Sequence, residues 1–546
     1  MAATEQVDDI LHRFSEMESA RQPWESAWRE IDERINPLGQ GGFSTKSQGG
    51  VRGVDIFDHT ASEGLNRFQA AYTGMIIPRG ERYHQLITTD SALNDLPAAQ
   101  RWLEEANDKL FAMRYAPMAG FDPEAGMNIR SLGSYGCGPL WIDHWVGRGI
   151  FYKCLHMSEV YIAEDFRGRV DTVARKFKQT VRQFLQQFGR DNLPPSIAKA
   201  VEGNELSREF DVLHVVRPRA DVDPERLDFR RLSIESLYVL MADKVIVREG
   251  GYSSMPITVS RYVTGPREIY GRSPALQVLG TIRTANEIMK TLLRQAHKAV
   301  DPPLLLPEDG VLTRVGTMPG GANVGGLDFN GRPMVVPLQT GGQLGIGMDM
   351  LNNEREVVRD AFLEKVWSLI LDRKDRMTAT EVLEISRMQG MLLAPMASRQ
   401  EAEWLGPQIE RELDIGMSSG YIPPMPPEMR EAGARVKVIY DNPLSRAAKA
   451  EEAIGFSRYI ETLIPLANIV GEEVFDVIDT EAAPRELGRA LAVQQKYMAP
   501  PDAVAAKRED RAQRKAQESV LAALPAAAGA VKDLASARAQ ETAYAG

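Results

Sequence analysis

The chain has 546 residues and a formal net charge of -10, from 65 Lys and Arg against 75 Asp and Glu. That length suits about three or four units of ~150 residues with ample burial, and the acidic balance excludes a DNA reader built on a strongly basic surface, so any DNA contact is local or weak. Cys137 and Cys154 are too few for a disulfide framework and fit a reducing compartment, while the absence of a signal-like start and of any run of about 18 apolar residues leads us to expect a soluble protein.

In chain order, residues 5–36 read as a helix through Ile10, Leu11, Phe14, Met17, Trp24, Trp28, Ile31 and Ile35, with Pro23 expected to split it and Asn36-Pro37 to end it. A polar Gly/Ser-rich loop over 39–53 is expected to be mobile. The helix over 60–77 carries Ala61, Gly64, Ala70, Ala71 and Gly74, small residues that invite close packing against another helix, and Pro78 stops it. A short strand over 83–88 and a helix over 97–114 follow. From 131 to 262 the pattern changes to short strands punctuated by glycine, at 138–143, 149–155, 159–164, 170–177, 210–216, 232–239, 244–249 and 257–262, with a helix at 180–188. This reads as an α+β body of antiparallel strands in a chain that is predominantly helical.

Residues 270–381 are the most organised stretch. Tyr270-Gly271-Arg272-Ser273-Pro274 is a helix start, since Ser273 can accept from an early backbone N–H and Pro274 needs no donor at the first helical position. The helix continues to about 299 and Asp301-Pro302-Pro303 ends it. A Gly/Pro-rich excursion leads to a second helix over 348–371, then to the charged turn Asp372-Arg373-Lys374-Asp375-Arg376 and the helix start Met377-Thr378-Ala379-Thr380-Glu381. The first helix carries Arg272, Arg283, Lys290, Arg294, His297 and Lys298 against the single acid Glu287, whereas the second mixes Glu354, Glu356, Asp360 and Glu364 with Arg355, Arg359 and Lys365. On one chain this is a solvated face; between neighbouring copies it is complementary charge. Beyond, 379–415 reads as helix broken near Gly406-Pro407, 421–427 as a proline-rich connector, 435–440 as a strand, and 444–463, 470–478 and 485–494 as helices. An Ala-rich tail closes the chain.

No catalytic or ligand set stands out. Lys46-Ser47 follows Thr45 rather than the glycine a phosphate loop needs, and Gly320-Gly321 with Gly325-Gly326 lacks the strand-then-helix setting of a dinucleotide fingerprint. Cys137, His144, Cys154 and His156 lack paired metal-ligand spacing, so packed roles are expected for them. Glu164, Asp165 and Asp171 sit where solvated turn acids normally lie. We therefore expect no enzyme, no cofactor and no metal.

The ordered set Trp28, Ile35-Asn36-Pro37, Ile56-Phe57-Asp58-His59-Thr60, Gly74-Met75-Ile76-Ile77-Pro78, Tyr135-Gly136-Cys137-Gly138, Tyr161-Ile162-Ala163-Glu164-Asp165, Tyr270 to Pro274, Met377 to Val382 and Asn442-Pro443-Leu444-Ser445-Arg446-Ala447 resembles the head-to-tail connector, or portal, family of short-tailed bacteriophages over about residues 20–450. Tyr83-His84 departs from an aromatic pair led by Trp. The resemblance implies a homo-oligomeric ring, normally twelve-fold, at one capsid vertex, in the virion and assembled in the host cytoplasm. Double-stranded DNA passes through it without sequence specificity, and the terminase large subunit, tail adaptor proteins, capsid and scaffold proteins are its partners. It also implies a wing (1–270 and 379–440), a stem (271–299 and 348–371), a clip (300–347), a tunnel loop (372–378) and a helical crown (441–546). Asp372, Arg373, Lys374, Asp375 and Arg376 are then the DNA-facing candidates, and Arg283, Lys290 and Arg294 the candidates for lumen or inter-subunit contact. The alternative is another virion assembly protein, such as a tail adaptor or scaffold.

Overall fold

The computed structural model describes residues 3–366 except 40, 41, 44–48, 95, 146, 307, 309–314, 317 and 339–343, then 395–440, and after those 455, 456, 458–465, 477–479, 483, 484, 503, 504, 506–514 and 517. Two compact units divide the chain, one of residues 1–94 with 99–448 and one of 95–98 with 449–546. In the second, the described runs 458–465 and 506–514 are helical; the rest of the expected C-terminal helices lies outside the described residues. The first unit is α+β and predominantly helical, as expected. No described helix is long and apolar enough to cross a membrane.

The first helix, α1 (Ala3–Arg34), runs through Pro23 without the expected break. A proline removes one hydrogen bond and crowds the carbonyl four residues back, but both halves of α1 are held by contacts elsewhere. Val7, Ile10 and Phe14 pack with Ala174, Leu213, Val215, Leu237 and Val239 of a sheet, and Trp28, Ile31 and Ile35 enter the main core. Next to the proline, buried Arg21 donates to the carbonyls of Met157 and Val160 and to Tyr161 Oη, each at 2.9 Å.

Then come α2 (Thr60–Ile76), β1 (His84–Thr88), α3 (Ser91–Asn94), α4 (Pro97–Arg114) and α5 (Phe121–Tyr135). Helix α5 is the element the sequence pattern concealed, because Gly126 and Gly133 read against a helix. Their purpose is proximity: a Cβ at Gly133 would lie 2.9 Å from Leu65 and Phe68 of α2. Close packing of α2 was expected from its own small residues, and part of the allowance comes from its partner.

The strands follow as β2 (Cys137–Trp145), β3 (Gly149–Cys154), β4 (Val160–Glu164), β5 (Val170–Thr180), β6 (Glu209–Pro218), β7 (Ile234–Leu240), β8 (Val245–Tyr252) and β9 (Ile257–Arg261), with α6 (Val181–Phe188) and α7 (Pro195–Glu202) between β5 and β6. They form a three-stranded sheet ordered β3-β2-β9 and a five-stranded one ordered β4-β5-β6-β7-β8, and all pairings are antiparallel. Strand β6 reads as an apolar run because both faces are covered. Leu213 and Val215 meet α1, whereas Phe210 and Val212 meet Val181, Phe184, Ile197 and Ala200 of α6 and α7.

After the hairpin described below, the helix expected to break at Gly406-Pro407 instead passes through one π-turn, Glu401–Leu405, into α11 (Gly406–Ser418). The wide turn moves the carbonyls that Pro407 would otherwise crowd, and the Glu401 carbonyl, which accepts the π-turn bond from Gly406 N, also accepts from Tyr440 Oη at 3.0 Å. A short helix, α12 (Pro427–Glu431), leads into the last strand, Val436–Tyr440, which pairs antiparallel with β1. Arg114 of α4 and Glu412 of α11 form a fully buried ion pair. Arg114 also donates to Tyr83 Oη (2.6 Å), and Tyr152 Oη and Gln408 Nε2 donate to Glu412 (both 2.7 Å).

Candidate functional site: the helical hairpin and its seat

The hairpin begins where two glycines let backbones meet. Gly136 closes α5 at φ +85°, and a Cβ there would fall 2.1 Å from the Gly271 carbonyl, so neither glycine tolerates a side chain. Gly271 N–H points to Cys137 Sγ (3.2 Å), and Ser273 Oγ donates to the Ser134 carbonyl (2.7 Å) while accepting from Leu276 N (2.9 Å). The cap expected at Ser273 therefore also fastens the helix to the body. It starts α8 (Pro274–Gln277), which kinks at Val278 into α9 (Leu279–Val300).

Residues far apart in sequence converge on this seat. Trp28 Nε1 donates to the Tyr135 carbonyl at 3.1 Å, the Trp28 and Tyr270 rings meet edge to face at 5.4 Å, and Ile162 N donates to Tyr270 Oη at 3.3 Å. Beneath it, Tyr135 Oη donates to Asp32 and contacts Asn36 Nδ2 (3.3 Å) and His156 Nε2 (3.0 Å). His156 Nδ1 accepts from Ser158 N at 3.2 Å, so the proton sits on Nε2 and is donated to Tyr135. Burial pushes the Asp32 carboxyl up to about 7 and His156 down to about 4. Cys137 and His156 thus have structural roles, as do the turn acids: Glu164 pairs with Arg261, and Asp165 Oδ1 accepts from Arg167 N and Arg169 N.

Helix α10 (Leu344–Ala361) runs back along α9, starting before the expected 348. Its regular run is interrupted after Ala361, where Leu363 takes φ +59° and fully buried Phe362 turns onto α2, so that a Cβ at Gly64 would touch its ring at 2.9 Å; residues 364–366 are helical again, and 367–371 lie outside the described residues. Both helices are bound to a third segment, residues 55–58, a tie that sequence reading did not predict. Asn286 Oδ1 accepts from Phe57 N (2.7 Å), Asn286 Nδ2 donates to the Asp55 carbonyl (3.1 Å), and Arg355 Nε donates to Asp58 Oδ2 (2.7 Å). Burial opposes ionisation of Asp58, yet Thr60 and Arg355 hold its carboxyl below the ordinary value. The signal available was an amide in mid-helix at Asn286 and an Asp two residues before Thr60 at a helix start.

Of the candidate bases, Arg283 pairs with Glu30, which it holds below the ordinary carboxylate value. Lys290 is half-buried, 5.6 Å from the Phe57 ring centroid and 3.8 Å from Glu287. Arg294 is exposed. An open groove of about 510 Å³ is lined by Arg283 with Thr284, Glu287, Ile288, Leu292 and Gly347 among others. Asp372, Arg373, Lys374, Asp375 and Arg376 lie outside the described residues.

In the lobe between α9 and α10, residues 301–343, turns rather than a core hold the described residues. Leu304 and Leu305 pair with Pro337 and Val336 as the short strands β10 (Leu304–Leu305) and β11 (Val336–Pro337), Asp328 Oδ1 accepts from Asn330 N and Arg332 N at 2.8 Å, and Asn323 bridges Gly316. Among its described residues none is buried; Phe329 is 97% exposed and Val324 93%.

A family model described as Bacteriophage head to tail connecting protein matches residues 7–498. The chain is similar to the "Probable portal protein" of Bordetella phage BPP-1, 27% identical over 516 residues and covering 92% of this chain and 90% of that one. It is also similar to the "Portal protein" of Salmonella phage epsilon15, 24% identical over 528 residues with 94% and 92% covered. Among solved structures, a chain titled "Virion of native gene transfer agent (GTA) particle" aligns over 73% of this chain and 85% of its own at 13% identity and a TM-score of 0.35.

Proposed function

This chain belongs to the bacteriophage head-to-tail connecting protein family, and from that premise we propose that it is the portal of its phage. Copies form a ring at one capsid vertex, through which double-stranded DNA is packaged and ejected. The observation that carries this reading is the family match over 7–498, joined by two portal relatives that each span more than nine-tenths of the chain. The wing is the α+β body, the stem is α9 with α10, the clip is the coreless lobe that docks terminase and then tail adaptors, and 372–378 is the tunnel loop.

Passage sets the chemistry. A channel that neutralised many phosphates would hold DNA with the affinity of a binding protein, and every step would have to break that grip. An acidic subunit with few bases at the constriction suits sliding, and Arg373, Lys374 and Arg376 are placed there to touch phosphates transiently. Negative-stain imaging of the purified chain tests the assembly: rings with a central hole are expected, and a monomer at high concentration refutes the reading.

A further inference from the structure

The two helices of the hairpin have outer flanks of opposite charge. Leu292 and Gly347 mark where α9 and α10 touch, since a Cβ at Gly347 would lie 2.6 Å from Leu292 Cδ2. At about 100° per residue, Arg294 stands two residues and roughly 200° beyond Leu292, on the side of α9 turned away from α10. Lys298, one turn further, extends that flank. By the same count, Asp349 stands roughly 200° beyond Gly347 and Glu356 about 180°, on the side of α10 turned away from α9. All four are exposed. Among the described residues Arg294, Lys298 and Asp349 enter no ion pair, while Glu356 reaches only the exposed Lys365 at 3.0 Å. Glu287, on the same flank of α9, pairs with Lys290 at 3.8 Å, and Arg283 pairs with Glu30, Arg355 with Asp58 and Arg359 with Glu364 within the chain, which leaves the α9 flank net basic.

We infer that these flanks are the two halves of one contact between copies of this chain, Arg294 and Lys298 of one hairpin lying against Asp349 and Glu356 of the next. A surface that meets a different surface on its neighbour is heterologous, and repeated by rotation it closes a ring. The occupant is a second copy because the complement of each flank stands on the opposite side of the same hairpin. The inference rests on the ring reading above and sharpens it, for it assigns Arg294 to the subunit boundary and removes it from the lumen. Such a contact weakens with salt.

The test uses reversed flanks on the full chain. One variant, Arg294→Glu with Lys298→Glu, has two acidic flanks; the other, Asp349→Lys with Glu356→Lys, has two basic flanks. Each alone is expected to lose ring yield at least ten-fold by negative stain and size-exclusion chromatography, and an equimolar mixture to regain rings of alternating subunits. Either variant closing rings at wild-type yield overturns the proposal, as does a mixture no better than its components, while wild-type rings leave the ring reading intact. Wild-type chain that never closes a ring overturns both. Should a reversed variant lose its helical circular dichroism, Arg294→Cys with Asp349→Cys decides instead: oxidation must link neighbouring chains into a ladder on a denaturing gel, and its absence overturns the contact.

Discussion

Replacing Asp32 by Asn should alter how stability depends on pH. Asp32 is 3% exposed and accepts from Tyr135, and burial raises its carboxyl from the ordinary 3.8 to about 7. A raised folded-state value means that the native protein binds the proton more tightly than the unfolded chain does. The associated stability is complete below about pH 4, declines as pH rises towards 7, and does not change further above that. At ~1.4 kcal/mol per pH unit, the interval is worth about 4 kcal/mol as an upper bound. Asn keeps the hydrogen-bond acceptor and never ionises, so the stability of Asp32→Asn relative to the wild type should rise by several kcal/mol between pH 4 and pH 7.5. Urea unfolding followed by tryptophan fluorescence measures this, and Trp28 sits on Tyr135 as a local reporter. Groups with lowered values, Glu30 and Asp58, lose stability at the acid end instead, and the comparison with wild type cancels them. A difference that stays flat across that range refutes the assignment.

Other outcomes are equally specific. Glu412→Ala leaves Arg114 charged and fully buried, and about 3–5 kcal/mol of stability should be lost; adding Arg114→Met should recover most of it in the same unfolding assay, and a double variant no better than the single one would contradict this. Alanine at Arg373, Lys374 and Arg376 together should leave rings intact and change packaging or DNA retention, so unchanged packaging and retention removes the tunnel role. Deleting residues 312–330 should block terminase or tail attachment, and a deletion that packages and tails normally removes the docking role of the lobe.

Local chemistry in the sequence was enough to place most strands, the Ser273 cap and both hairpin helices, because alternation, proline and a capping hydroxyl act within a few residues. What escaped depended on distant partners. Pro23 looked like a break until the contacts on either side of it were seen to hold α1 straight, and α5 was hidden because its glycines answer the bulk of α2. The end of α10 is decided by where Phe362 must be buried, which the charge pattern of 348–371 does not record. The pairing of Arg283, a candidate for lumen or inter-subunit contact, with Glu30 was equally hidden, because that acid lies on α1, far away in sequence. Trp28, Asn36, Tyr135, Cys137, Ile162 and Tyr270, which stand among the segments carrying the family resemblance, are neighbours at the hairpin's seat, a convergence that no local rule encodes.

The Asp55–Asp58 segment ties α9 through buried Asn286, and α10 through Arg355, whose partner Asp58 is buried. Two helices in simple contact can slide along each other by exchanging side-chain neighbours. Here sliding would first have to rupture hydrogen bonds to a common third strand of chain, so the pair resists shear like two planks riveted through one plate. An axial push on either helix is shared by both and delivered through α2, which starts at that rivet, into the core of the body.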